Sequence, residues 1–205
     1  MQISFDVHSL GVVLDLAEEK ALGTGFALLR PMWIVTAKHV VLIDGIPRTN
    51  LGFLSGAVTV SAKPYAIHPE VDLAVIELLT PTPCKVPMYP SYVGFTATDG
   101  LLSIGYFPSK SNNASGLRVM EGYPITGHTT EIRERAFGSE EIITFNAPVS
   151  EGGNSGSPVF GAGGGVVGVV IENSSPNGSP VARATSLVPL LHGLMYDPQW
   201  CGISR

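Results

Sequence analysis

The sequence predicts an all-β protein built from two antiparallel barrels. Its 205 residues contain many short apolar runs rich in β-branched side chains, which is the pattern of strands. The 24 glycines and 16 prolines indicate frequent turns between these runs. No helical patterns alternate with the strands, which argues against a parallel α/β sheet. The length is sufficient for one large β domain or two small ones.

Several apolar runs in the first half predict strands. Residues 12–16 and 23–29 are separated by a polar segment, so they predict a hairpin. Residues 33–36 predict a third strand, which leads into a single helical turn. Residues 73–78 are almost continuously apolar, as in a buried strand. Two more short strands are predicted at residues 58–60 and 62–66.

A proline-rich connection divides the chain. Prolines at positions 81, 83, 87 and 90 disfavour regular structure in residues 80–98. We therefore expect an N-terminal barrel in residues 1–90 and a C-terminal barrel in residues 91–205. Strands of the second half are predicted at 101–107, 117–121, 142–145, 157–160, 166–171 and 181–185. The apolar spacing in residues 186–195 predicts a short C-terminal helix with Ser186 as its cap.

Composition and charge exclude several classes of partner. The net charge of -5 provides no basic surface for nucleic acid. No run of about 18 apolar residues is present, so no membrane span is predicted. The N-terminus lacks the pattern of a signal peptide, which favours a cytoplasmic location. A trimmed mature form would instead fit an extracellular or periplasmic location.

No metal or cofactor is predicted. Cys84 and Cys201 are too few for a zinc site. They could form one disulfide, although free or buried thiols are favoured in a reducing compartment. His68 and His128 lack the spacing of metal ligands and are expected at the surface. The glycines at 163–168 match a dinucleotide-binding pattern by letter, but a β-branched run follows them where a helix is required.

A glycine-rich loop at residues 151–158 surrounds a single serine, Ser155. Its glycines would allow the N–H groups of Gly153 and Ser155 to point into one small space. Two such donors beside a hydroxyl are suited to acyl transfer, which needs a nucleophile and a pocket for an oxyanion. Taken alone, a turn that uses glycine and serine for conformational reasons explains the composition equally well.

A histidine and an aspartate could activate this serine. His39 follows the strand at 33–36, and a serine hydroxyl needs such a base to take its proton. Asp72 opens a buried apolar run, where a carboxylate is costly without a partner. Separately, His39 is explained as an ordinary histidine and Asp72 as a solvated turn residue. Together with Ser155 they follow the chain order His, Asp, Ser of one known triad arrangement.

The blocks around these residues resemble those of the trypsin-like (chymotrypsin-fold) serine proteases, particularly compact bacterial members of the Deg type. The matching blocks are Thr36-Ala37-Lys38-His39, residues 72–78, Gly153-Asn154-Ser155-Gly156-Ser157-Pro158, Gly23-Thr24-Gly25-Phe26, Ile104-Gly105-Tyr106 and residues 167–170. The resemblance covers about residues 10–195. It implies two six-stranded barrels with the active site between them, and a polypeptide substrate. His39 would be the general base, Asp72 its orienting partner, and Ser155 the nucleophile, with an oxyanion hole formed by the N–H groups of Gly153 and Ser155.

Two positions depart from the family pattern. Asn154 stands where zymogen-activated members have an aspartate that pairs with a freed N-terminus, so activation by N-terminal cleavage is not expected. We expect neutral hydrogen bonds to hold this loop instead. Ser157 stands where glycine is usual, and this small change is expected to preserve activity.

The resemblance also implies a primary substrate pocket. Its walls would be formed by Val149, Ser150, Ile171, Glu172, Asn173, residues 151–152 and residues 179–181. Because Val149 would lie at the floor, a small or medium apolar residue is expected before the scissile bond, in place of lysine or arginine. Glu172 could favour a basic group or could be solvated.

Two other functions stay open at the level of sequence. The fold could serve as a non-catalytic binding module, although such a module has no need for all three triad residues. The chain could also be a self-processing or partner-activated protease whose oxyanion loop is collapsed in isolation, since the glycines at 152 and 153 would permit a peptide flip. The natural substrate and the oligomeric state are not indicated by the sequence.

Overall fold

The computed structural model of the chain describes residues 3–98, 100–108, 118–136, 138–146, 154–174 and 181–196. Within these residues the protein is mostly β, with two short α-helices. The all-β prediction is therefore confirmed. No helix among them is long and apolar enough to cross a membrane.

The first half contains a closed, antiparallel six-stranded barrel with the strand order β1-β2-β3-β8-β7-β6. Its strands are β1 (Leu10–Asp15), β2 (Lys20–Ala27), β3 (Trp33–Thr36), β6 (Leu51–Ser55), β7 (Val58–Ile67) and β8 (Ala74–Leu78). Helix α1 (Lys38–Val41) and a small hairpin of β4 (Leu42–Ile43) and β5 (Ile46–Pro47) follow β3. Fully buried side chains such as Ile34, Phe53 and Ile76 fill the barrel.

The second half contains a seven-stranded antiparallel sheet with the order β10-β9-β13-β14-β15-β12-β11. Its strands are β9 (Leu101–Pro108), β10 (Arg118–Ile125), β11 (His128–Arg135), β12 (Gly138–Asn146), β13 (Pro158–Phe160), β14 (Val166–Ser174) and β15 (Val181–Ser186). The C-terminal helix α2 (Val188–Tyr196) follows β15. The resemblance implied six strands in this half, whereas the sheet has seven. The strand that the apolar pattern did not predict is β11.

The connection between the halves contacts both of them. Met88 N donates to the Ala27 carbonyl at 2.8 Å, and Met88 O accepts from Leu29 N at 3.2 Å. Three residues later, Ser91 N donates to the carbonyl oxygen of Val166 in β14 at 2.7 Å. One buried cluster contains Phe26 of the barrel together with Val169 of the sheet. The two halves therefore share a core, and the space between them has a defined shape.

Candidate active site

The first part of the site lies where two neighbouring strands of the barrel end and begin. Strands β3 and β8 are antiparallel, and Thr36 lies opposite Ala74. The chain that leaves β3 is therefore beside the chain that enters β8. His39 in α1 and Asp72 before β8 meet at this point. Asp72 Oδ2 is 2.7 Å from His39 Nδ1, and Asp72 Oδ1 accepts a hydrogen bond from His39 N at 2.9 Å.

This contact defines the state of both side chains. Burial raises the pKa of Asp72, but the hydrogen bonds and charge of His39 outweigh burial and place this pKa below its ordinary value of 3.8. Asp72 is therefore a carboxylate at neutral pH. A carboxylate only accepts hydrogen bonds, so the neutral imidazole carries its proton on Nδ1. The Nε2 atom of His39 is then an acceptor, as a general base requires.

The turn that carries Asp72 is built around His68. The His68 side chain is fully buried, and its Nδ1 accepts hydrogen bonds from Glu70 N at 3.1 Å and Val71 N at 2.9 Å. Burial and the nearby Lys38 charge lower the pKa of His68 to about 4. The predicted surface role of His68 is therefore wrong, because this histidine is a buried, neutral acceptor that shapes the turn. His128 is exposed, as predicted.

Ser155 lies in the turn before β13, and this turn is attached to both halves. The Ser155 carbonyl accepts from Thr24 N of β2 at 2.8 Å. Gly156 N donates to the Val170 carbonyl of β14 at 2.7 Å. Gly156 has φ of +89°, and a Cβ atom here would collide with the Thr24 carbonyl and the Thr36 hydroxyl. Only glycine satisfies both constraints, so glycine at position 156 is a requirement of this turn.

Asn154 anchors the same turn from inside the second sheet. Its side chain is buried, and Nδ2 donates a hydrogen bond to Tyr123 Oη at 3.1 Å. Tyr123 is 8% exposed and packs against the rings of Phe107 and Phe145. The expectation that neutral hydrogen bonds hold this loop is therefore confirmed for Asn154.

One cavity of about 450 Å³ unites the predicted catalytic residues. His39, Asp72 and Ser155 all line it. His39 is exposed and Ser155 is half-buried, so both are accessible to a ligand in this space. A histidine with an oriented imidazole and a serine that line one cavity are the components of nucleophilic catalysis.

Only part of the predicted substrate pocket falls within the described residues. Ile171 and Glu172 line the cavity. Asn173 belongs to β14, but its side chain lies outside what the structure describes. Val149, Ser150 and Gly153 lie outside the described residues, so the pocket floor and the oxyanion hole stay predictions. Glu172 is not simply solvated, because its Oε2 is 3.3 Å from Arg183 Nη1.

The sequence interpretation missed a group of charged residues that line the same cavity: Glu70, Arg133, Arg135, Glu140 and Arg183. Glu140 is 2% exposed, and it accepts from Thr185 Oγ1 at 2.8 Å and pairs with Arg135 at 2.7 Å. Arg133 and Arg135 occupy alternate positions of β11, where side chains point to the same face. The alternation of these arginines with a period of two could have indicated a strand. The segment was not predicted as a strand because it has few apolar residues.

Comparison with known proteins identifies relatives of this chain. It is 31% identical over 170 residues to a probable periplasmic serine endoprotease, DegP-like, of Brucella suis, covering 82% of this chain and 30% of the relative. A protein of the same description from Rhizobium meliloti is 29% identical over 171 residues, covering 82% of this chain and 31% of the relative. The chain thus spans about a third of the length of these relatives.

Solved structures show the same fold. The Rv3671c protease from M. tuberculosis in its active form has a TM-score of 0.67 and 20% identity, over 97% of this chain and 83% of that one. The HtrA-type protease AlgW with a decapeptide has a TM-score of 0.61 and 16% identity, over 94% of this chain and 66% of that one. The model of the trypsin-like peptidase domain matches residues 23–169, and this chain belongs to that family.

Proposed function

We propose that the chain is a serine endopeptidase that hydrolyses peptide bonds through His39, Asp72 and Ser155. The observation that carries the proposal is the 2.7 Å contact of His39 Nδ1 with Asp72 Oδ2, in a cavity that Ser155 also lines. Membership of the trypsin-like peptidase family supports a hydrolase of this class. The names of the relatives, which are serine endoproteases, point in the same direction.

The proposed mechanism assigns one role to each residue. Ser155 Oγ attacks the carbonyl carbon of the peptide bond while its proton passes to Nε2 of His39. The Asp72 carboxylate stabilises the imidazolium that results. The N–H groups of Gly153 and Ser155 would bind the oxyanion of the tetrahedral intermediate. His39 then protonates the leaving amine, and water releases the acyl group from Ser155 by the same steps.

We further propose that the two halves form one protease domain. Residues 1–90 would supply the base and its carboxylate, and residues 91–205 the nucleophile. The substrate is a polypeptide, with a small or apolar residue before the scissile bond at a pocket that includes Val149 and Ser150. The relatives are described as periplasmic, which gives no support to a cytoplasmic location and favours the periplasmic alternative.

Labelling with a fluorophosphonate probe tests the proposal directly. The wild type is expected to be labelled covalently, and Ser155→Ala and His39→Ala are expected to abolish labelling. His128→Ala removes an exposed histidine and serves as the control that keeps labelling. Absence of labelling in well-folded wild type would contradict a constitutively active protease. Labelling that appears only after a partner protein is added would replace it with a partner-activated protease.

A further inference from the structure

The cavity at the candidate active site carries more negative than positive side chains. Its lining includes three arginines, at positions 133, 135 and 183, and four carboxylates, at positions 70, 72, 140 and 172. Like-signed charges that share a cavity create a potential that attracts the opposite sign. Which carboxylate can act on a ligand depends on how the arginines are already paired.

Each arginine of the cavity forms an ion pair with a glutamate. Arg135 pairs with the buried Glu140 at 2.7 Å, and Arg183 pairs with Glu172 at 3.3 Å. Arg133 pairs with Glu131 at 2.7 Å through Nε and adds a second bond of 3.0 Å through Nη2. The charges of Glu140 and Glu172 are therefore largely compensated within the protein. Asp72 is compensated differently, by His39 during catalysis.

Glu70 differs from these carboxylates. Within the part of the chain that the structure describes, no lysine or arginine lies at ion-pair distance from it. Its Oε2 accepts one hydrogen bond, from Ala136 N at 3.0 Å, and the side chain is exposed. It stands two residues before Asp72 on the turn shaped by His68. Glu70 is thus a carboxylate without an ion-pair partner among the described residues, in the cavity that also contains Ser155. The nearby Lys38 ammonium is bound to the carbonyl oxygens of His68 and Pro69.

We propose that Glu70 is a specificity-determining residue that selects a lysine or arginine side chain at a substrate position in this cavity other than the one directly before the scissile bond. The inference rests on the proposed endopeptidase function and concerns the substrate class of the same site. A cavity of about 450 Å³ accommodates such a side chain, and its cation would approach the exposed carboxylate of Glu70. Glu172, which the sequence suggested for this role, is paired with Arg183 and is less able to perform it.

Cleavage of matched peptides tests the selection. The peptides differ only in carrying lysine, glutamine or glutamate at one position, which is moved in turn along the residues flanking the cleaved bond. At one position, wild type is expected to favour lysine over glutamine by roughly two- to five-fold in kcat/KM, as for a partly exposed ion pair. The difference is carried by KM, and it diminishes at 1 M salt because the charges are screened.

Three variants assign the effect to the Glu70 charge. Glu70→Gln retains an oxygen for the Ala136 N–H group and is expected to lose the preference for lysine. Glu70→Asp retains the charge and is expected to keep part of the preference for lysine. Glu18→Gln removes the same charge from an exposed turn outside the cavity and is expected to behave as wild type.

Two results would overturn the inference while leaving the proposed function intact: cleavage without any charge preference, or an equal loss for all peptides in Glu70→Gln. An equal loss for all peptides would show that Glu70 acts only through its hydrogen bond with Ala136 N and not by selecting a charge. Failure of wild type to cleave any peptide would contradict the proposed function. Binding of the lysine and glutamine peptides to Ser155→Ala, measured by fluorescence anisotropy, then decides the inference without catalysis, since equal affinities would reject it.

Discussion

Asn154 and Tyr123 join the turn of the candidate nucleophile to the interior of the second sheet through a 3.1 Å hydrogen bond from Nδ2 to Oη. Both side chains are buried, and neither carries a charge at neutral pH, since burial raises the pKa of Tyr123. The turn is thus fixed without an ion pair. Its geometry should depend on the tyrosine hydroxyl and not on a freed amino terminus.

Tyr123→Phe is expected to shift the Ser155 turn. Removing one partner of a buried hydrogen bond costs about 1–2 kcal/mol of unfolding free energy. The rate of fluorophosphonate labelling is expected to fall roughly ten-fold, because nucleophilic attack is sensitive to small displacements. Tyr65→Phe, at a half-buried tyrosine that contacts Trp33 in the first barrel, is the control for loss of a hydroxyl. Unchanged stability and labelling in Tyr123→Phe would show that this hydrogen bond does not position the Ser155 turn.

Gly156→Ala is expected to displace the turn and abolish labelling. A non-glycine residue in the left-handed region costs about 1–2 kcal/mol, and the collision with Thr24 and Thr36 adds a packing penalty of about 1–3 kcal/mol. Gly45→Ala is a matched control, because Gly45 has φ of +80° but no atom within 4 Å of its Cβ position. Urea unfolding of both variants separates strain from collision. Equal costs for the two would show that the packing against Thr24 contributes nothing.

Ser157→Ala is expected to stabilise the protein slightly or leave its stability unchanged. The Ser157 hydroxyl is buried and has no hydrogen-bond partner among the described residues, so folding removes it from water without compensation. Ser103 is an equally buried serine whose Oγ donates to the Pro158 carbonyl at 3.2 Å and whose side chain also hydrogen-bonds Tyr123. Ser103→Ala is therefore expected to cost about 1 kcal/mol in urea unfolding. A larger loss in Ser157→Ala than in Ser103→Ala would be inconsistent with an unsatisfied hydroxyl at position 157.

The free energy of unfolding is expected to decrease as the pH is lowered from 6.5 to about 4, because His68 is buried in its neutral form. The pKa of His68 is lowered from 6.5 to about 4, so the unfolded chain takes up a proton in this window before the folded protein does. The contribution of His68 is complete above pH 6.5, and up to about 3 kcal/mol of it is lost on acidification to pH 4. Denaturant unfolding at several pH values measures this dependence.

His68→Asn tests the assignment, since asparagine keeps an acceptor near Nδ1 but does not titrate. Its stability at pH 7 is expected to be lower, and its dependence on pH in the same window flatter. His128→Asn changes an exposed histidine and is expected to reproduce the wild-type slope. If the slope of His68→Asn matched that of wild type, other groups would have to account for the acid sensitivity.

The sequence predicted the parts of the molecule in which apolar patterning and local chemistry agree. The strand at 33–36, the helical turn with His39 and the buried strand after Asp72 were all placed correctly. Strand β11 escaped prediction because most of its side chains are exposed and polar, and β7, which was predicted as two strands at 58–60 and 62–66, is one strand that continues through Ser61. A register irregularity between Pro64 and Ala66 lies within the same strand.

Tertiary contacts decided what local patterns could not. Ser186 was predicted as a helix cap, but it ends β15, its hydroxyl accepts from Glu141 N at 3.2 Å, and α2 begins at Val188. His68 has the sequence context of a surface turn, yet its side chain is fully buried and its Nδ1 accepts hydrogen bonds from the N–H groups of residues 70 and 71. The charged cavity depends on contacts between distant segments, such as the hydrogen bond from Ala136 N to Glu70 Oε2, which joins residues 66 positions apart.

The bond between Thr24 N and the Ser155 carbonyl has a consequence for inhibition. The serine belongs to the second half, yet its backbone is attached to a strand of the first, 2.8 Å away. A small molecule that inserted between the halves near Thr24 would move the hydroxyl away from the imidazole without entering the substrate cleft. Such a compound would lower kcat without competing with the peptide, and resistance to it would arise at residues remote from the substrate.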